Sequence, residues 1–298
     1  MNFLFHLIHG LDVSVYQFLN VFAGNRLIDR LANYEEGDNL FKGGLFLAMY
    51  AYVWFQAGPR QDERRRSIIA VLAGTLLALA LTRTIANIAP YRLRPMYDPT
   101  LSHHAYSFPI SFNMVEWSSF PSDTAAYFTA LAFGLVRLIR RPYSLAILLF
   151  AAVWICLPRL FFGLHFLSDV VVGIAIGIAV VEASLQSRWL QQDLASPILS
   201  FLNAKPHVFY AASFMVFFEM GVAFDDVRRP VRALFHALQT EHFRQLAHFR
   251  ELFHVMANFG LLAVTVAFVA VMILARNRAH GMRTVNKAAP TVEEHLAF

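Results

Sequence analysis

Runs of about twenty apolar residues recur along this chain, and that constrains its fold more than any other feature. In lipid a backbone has to satisfy its own N–H and C=O groups, which leaves only helices or a closed barrel. Uninterrupted runs of this length select helices, because about 20 residues cross the hydrocarbon core. With 57% hydrophobic and only 15% charged residues, a soluble domain is excluded. The fold class expected is therefore all-α, a polytopic helical membrane bundle. Spans are expected at roughly 40–57, 67–90, 123–138, 143–163, 166–186, 206–223 and 254–275, the third of them short.

Residues 1–35 are less apolar, interrupted by Asp12, Asn20 and Asn25, and read as an amphipathic or re-entrant helix. A polar connector through Tyr34 to Asp38 follows it. No Lys or Arg precedes Phe3-Leu4-Phe5, so the basic start of a cleaved signal peptide is missing. A lone cysteine, Cys156, rules out a disulfide framework or a cysteine metal site within one chain. Three parts are expected: a membrane core over 1–190, added spans over 191–275 and a disordered cytoplasmic tail over 276–298.

Arginines set the orientation, since short cytoplasmic loops collect them. Arg60, Arg64, Arg65 and Arg66 follow the first span, and Arg137, Arg140 and Arg141 follow the third. Segments 91–122, 159–169 and 224–253 then fall outside. The last of these carries five arginines among recurrent apolar residues and reads as a helix lying on the membrane surface, with a role in holding an anionic substrate as the alternative.

Within the apolar background one stretch stands out, Pro158-Arg159-Leu160-Phe161-Phe162-Gly163-Leu164-His165-Phe166-Leu167-Ser168-Asp169. Ionisable groups at a span end are costly and mark function. If a helix starts near Ser168, His165 and Asp169 lie one turn apart, and the carboxylate can fix the imidazole tautomer. Arg159 suits a bidentate grip on an anion. The alternative is a snorkelling arginine and a satisfied core histidine. Two further stretches end or begin spans. Pro90 and Pro95 bracket Arg92 and Arg94 at the surface, after Arg83 and Asn87. Ser122, a good N-cap, opens the third span before Asp123 and Thr124, and the amides behind such a cap form a phosphate seat.

Taken together these segments resemble the type 2 phosphatidic acid phosphatase (PAP2) superfamily, whose motifs read K-x6-R-P, P-S-G-H and S-R-x5-H-x3-D. Here they stand as Asn87-x6-Arg94-Pro95, Pro121-Ser122-Asp123-Thr124 and Pro158-Arg159-x5-His165-x3-Asp169. The resemblance covers about residues 1–190, leaving about two additional C-terminal spans. A P-S-D-H second motif occurs in the polyprenyl-diphosphatase branch, which Asp123 matches. The resemblance implies that His165 attacks phosphorus, Asp169 orients it, and Arg94, Arg159, Ser122 and the following amides hold the phosphoryl group; Arg83, Asn87, Arg92, Asp123 and Thr124 beside them are further candidates for binding the phosphate. It implies no metal and no cofactor. The implied partner is a membrane lipid or polyprenyl carrier, with no role for nucleic acid. The implied location is a bacterial inner (plasma) membrane, with the site facing the periplasm or exterior.

Two departures bear on activity. Asn87 replaces the first-motif lysine, and Arg83 one turn earlier is a candidate to restore that charge. Thr124 replaces the histidine that protonates the leaving group, a contribution of ~10²–10⁴-fold. That loss matters for alkoxide leaving groups but little for diphosphates, whose leaving phosphate is weakly basic. His103, His104 or Glu116 is an alternative acid. The expected activity is a phosphatase or phosphotransferase reaction on a polyprenyl diphosphate or related lipid. The alternatives are a transferase passing phosphoryl or sugar phosphate to an acceptor, and an inactive lipid-binding scaffold.

Overall fold

The computed structural model describes residues 2–37, 39–109, 114–115, 117–139 and 144–223. The expected surface helix at 224–253, the expected span at 254–275 and the tail lie outside these residues, as do Glu116, Arg140 and Arg141. Among the described residues the fold is all-helical, as expected, with no strand. Its helices are α1 (Asn2–Asn20), α2 (Arg26–Gly37), α3 (Leu40–Phe55), α4 (Gln61–Ile88), α5 (Asp123–Ile139), α6 (Ser144–Phe161), α7 (Leu167–Gln186), α8 (Ala195–Ala204) and α9 (Pro206–Gly221).

Three of them, α4, α6 and α7, are long and apolar enough to cross a membrane, and α3 is a shorter apolar helix. This fits an integral membrane protein. At 28 residues α4 measures roughly 42 Å, more than the ~30 Å hydrocarbon core. Its first turns carry Arg64, Arg65 and Arg66, while its far end leads through Pro90 to Arg92 and Arg94. The arginine-rich connector and the motif arginines thus sit at opposite ends of one helix.

The core is built chiefly on α3, α4 and α5, and residues of α6, α7, α8 and α9 complete it. Without a hydrophobic drive between helices in lipid, close approach depends on small residues. Gly173 and Gly177 of α7 meet the carbonyls of Ser122 and Ala126 of α5, so near that a Cβ on either glycine would lie 2.4 Å from the oxygen. That seam sets the position of the α5 N-terminus. Tyr50 of α3 donates to Leu131 O at 2.7 Å, and Tyr127 of α5 donates to Met220 O of α9 at 2.6 Å.

The first 37 residues form two helices where one helix and a polar connector were expected. The interrupting residues explain the difference, because each has a partner. Asn25 Oδ1 accepts from Leu27 N and Ile28 N, starting α2 after Gly24. Asn20 Oδ1 accepts from His104 N at 2.7 Å, and Asp29 Oδ2 accepts from Ser107 N at 2.6 Å. Tyr106 donates to Phe161 O. The helical pair and the 103–108 segment therefore close over the end of the bundle where α6 finishes. Helix α8, in a stretch with no expected span, follows a π-helical turn at Trp189–Leu194.

Candidate active site

Three span ends meet under that cap. Gly163 adopts φ +65°, and its carbonyl accepts from Met96 N at 3.0 Å, joining the Arg94 segment to the end of α6. A side chain there would be strained by the left-handed backbone and would strike Tyr16 and Met96. Leu164 N and His165 N both donate to Arg159 O, which fixes His165 relative to Arg159. Ser122 N donates to Asp169 O at 3.0 Å, tying α5 to α7. Arg94, Arg159, His165, Asp169 and Ser122 are all buried, His165 to 4% exposure.

His165 is held by a backbone atom. Its Nδ1 lies 2.7 Å from Ser119 O. A carbonyl can only accept, so Nδ1 carries the proton and Nε2 keeps its lone pair. Arg94 Nη1 lies 3.5 Å from that Nε2 and donates to Leu164 O at 2.6 Å. Burial, and then the Arg94 charge, push the His165 pKa down to about 3, with Arg159 adding to the fall and Asp123 and Ser119 opposing it. The imidazole is therefore neutral at physiological pH. Burial also lowers the Arg94 pKa; Asp123 counters this, whereas Arg159 and Arg83 add to it.

The expected pairing of Asp169 with His165 is not what the geometry gives. The helix begins at Leu167, and Phe166 before it is extended at ψ 163°, so His165 and Asp169 do not share a helical face. Asp169 sits in the first turn and its Oδ2 turns back to accept from Phe166 N at 2.8 Å, a capping contact. Its Oδ1 accepts from Arg92 Nη1 at 2.5 Å.

Arg92 likewise departs from its expected role as a phosphate ligand. Besides Asp169 it donates to Ser168 Oγ at 2.7 Å and to Asp12 Oδ2 at 2.6 Å, and it lies over the Phe166 ring. Arg83 forms an ion pair with Asp123 and stacks on Trp117, so it is not an unpaired stand-in for the missing lysine. Asn87 is exposed on the last turn of α4. Ser122 caps α5 as expected, accepting from Ala125 N at 3.3 Å. Thr124 N donates to Asp123 Oδ1 at 2.8 Å, so two amides of the expected phosphate seat are already engaged. Of the alternative acids, His103 bonds Tyr16 OH through Nδ1 and Asp98 O through Nε2, and His104 is exposed. Ser119, Asp12 and Ser168 have places in this network that sequence reasoning missed; a lone aspartate in an apolar helix was the available signal for Asp12.

A buried neutral histidine, a proton-locked Nδ1, and Arg94 and Arg159 beside it bring the chemistry-bearing residues of all three motifs to one place. Residues 67–193 match the model of the PAP2 superfamily. The PAP2 match runs from the second turn of α4 into the turn before α8 and contains every motif residue from Arg83 to Asp169. It leaves out α1 and α2, and with them Asp12. No curated protein and no solved structure matches the chain.

Proposed function

We propose that this protein is a membrane phosphatase or phosphotransferase that works through a phosphohistidine on a lipid phosphate, with a polyprenyl diphosphate as the fitting substrate. The observation that carries the reading is the unprotonated Nε2 of buried His165 beside Arg94. An imidazole poised as a free base next to buried cations has the two properties that phosphoryl transfer needs, a nucleophile and a countercharge. Nε2 donates its lone pair to phosphorus while the bridging P–O bond breaks. The leaving lipid monophosphate departs with that electron pair. Water, or an acceptor hydroxyl, then attacks phosphorus as the P–Nε2 bond breaks; the electron pair returns to Nε2, the nucleophile's proton passes to solvent, and phosphate or the phosphorylated acceptor leaves His165 neutral again.

Thr124 supplies no acid, which favours a diphosphate, because its leaving phosphate departs without protonation. Arg94 and Arg159 offset the charge on the transferring group. Arg83 joins them only by exchanging Asp123 for the phosphate. The arginines at the opposite end of α4 support a site on the extracytoplasmic face.

The test is turnover of a labelled polyprenyl diphosphate by purified protein, compared with phosphatidate. His165→Ala is expected to abolish turnover and leave thermal unfolding near wild type. A His165→Ala protein that still turns over would refute the phosphohistidine. A wild-type protein inert on both substrates, with and without acceptors, would refute the enzyme reading.

A further inference from the structure

Asp12 is the only acidic residue of α1, and it is 1% exposed. Burying a carboxylate is unfavourable by several kcal/mol unless it is paired and hydrogen-bonded. Here three donors meet it: Arg92 Nη2 at 2.6 Å, Ser168 N at 2.7 Å and Ser168 Oγ at 2.6 Å. Ser168 Oγ in turn accepts from Arg92 Nη1 at 2.7 Å, which closes a ring of three side chains. The second carboxylate on Arg92 is Asp169. One guanidinium is thus held between a carboxylate from α1 and another from the first turn of α7.

The main chain of Arg92 carries this order to the reacting atom. Ser119 N donates to Arg92 O at 2.9 Å, and Arg92 N donates to Ser118 Oγ at 3.2 Å. Ser119 O is the acceptor that locks His165 Nδ1. The carbonyl that locks the imidazole thus belongs to a residue hydrogen-bonded to the main chain of Arg92. Asp12 makes no hydrogen bond to His165, so its effect passes through Arg92 and through Ser168, three residues beyond the histidine.

We propose that Asp12 is a positioning residue of the catalytic site: by holding Arg92 against Asp169 and Ser168, it sets the Ser119 carbonyl that orients His165. This rests on the phosphohistidine reading, and it makes α1, which lies outside the PAP2-matched segment, a working part of the site. Asp12→Asn keeps the size and one acceptor oxygen but removes the charge and turns an amide or a weaker acceptor toward Arg92. Misplacing a reacting atom by about 1 Å lowers rates by about 10²-fold. The expected result in the full chain, in detergent with a polyprenyl diphosphate, is kcat down by about 10- to 100-fold with KM nearly unchanged, because Asp12 acts on the orientation of the reacting nitrogen and is not itself a phosphate ligand.

A readout independent of turnover comes from nitrogen NMR of protein carrying labelled histidine, with the His165 signal assigned by its loss in His165→Ala. Wild type is expected to show one neutral tautomer, protonated at Nδ1. Asp12→Asn should show a second tautomer or a broadened Nδ1 signal. If Asp12→Asn does not fold, Ser168→Ala opens the same ring without stranding a charge and should give a smaller change of the same kind. A wild-type kcat and a wild-type tautomer in the folded Asp12→Asn protein, or in Ser168→Ala where that variant stands in, would overturn the proposal. If wild type turns over no substrate, the phosphohistidine reading fails by itself, and the tautomer comparison still decides whether Asp12 orients His165.

Discussion

Gly173→Ala puts two opposite effects of one methyl group in competition. In a helix interior alanine is favoured over glycine by ~0.8–1.0 kcal/mol, so propensity alone makes the variant more stable. Against this, the new Cβ would lie 2.4 Å from Ser122 O, 3.2 Å from Ala125 Cβ and 3.3 Å from Ala126 N. Ordinary contact begins near 3.4 Å, so the α5–α7 seam has to open by about 1 Å. The nearest obstacle is a backbone oxygen that cannot rotate away. Overpacking of this kind is destabilising by ~1–3 kcal/mol. Opening the seam also strains the Ser122 N to Asp169 O bond one turn earlier, which contributes a further ~0.5–1.5 kcal/mol. The net expectation is a loss of about 0.5–4 kcal/mol, or ~2–4 °C in Tm for each kcal/mol. Activity should fall as well, because α5 moves off the site. Gly10→Ala in α1 is the matched control, since a Cβ there meets nothing within 4 Å, and it should raise Tm. Thermal unfolding of both variants in one detergent decides the matter. A Gly173→Ala protein as stable as Gly10→Ala would refute the seam as described.

His165, lowered to about 3, should give kcat/KM no acid limb of its own between pH 5 and 7, which a pH–rate profile on a diphosphate will check. The same shift makes the unfolded chain bind a proton that the folded one refuses between about pH 6.5 and 3, so stability should decline as pH falls through that window, and less steeply in a His165→Gln variant. Asp123→Asn removes the carboxylate paired with Arg83 and should strengthen inhibition by inorganic phosphate. The pair is partly solvated, so the gain is expected near ~1 kcal/mol, and an unchanged inhibition constant would mean Arg83 never reaches the anion. Thr124→His should accelerate substrates with alkoxide leaving groups, by at most ~10²–10⁴-fold, and diphosphates little. A uniform gain on both would remove the argument for a diphosphate.

The helical class, and α4, α6 and α7 in particular, were legible because lipid leaves a long apolar run one solution. The third motif was legible for the same reason, since polar groups in such a background stand out. What the sequence hid were partnerships across distance. Asp12 and Arg92 lie 80 positions apart and Arg83 and Asp123 forty, with no periodicity to link them. The helix starts at Leu167, close to where it was expected, but His165 lies before it, and an apolar Phe166 at the N-cap gave no warning that Asp169 would turn to its own helix start. Ser119 had no signal, because the atom that matters is its carbonyl oxygen.

That oxygen has a consequence for heredity. In the proposed reaction the phosphorylated nitrogen is Nε2, because Nδ1 is occupied by a proton that the main chain holds. Every amino acid brings a carbonyl, so no codon change at position 119 deletes this acceptor, whatever it does to the packing around it. In that reaction a change at position 124 alters which leaving groups are accepted, and a change at position 87 alters the charge around the phosphate. The isomer of phosphohistidine would pass through such changes unaltered, and chemical typing of the trapped intermediate would read it directly.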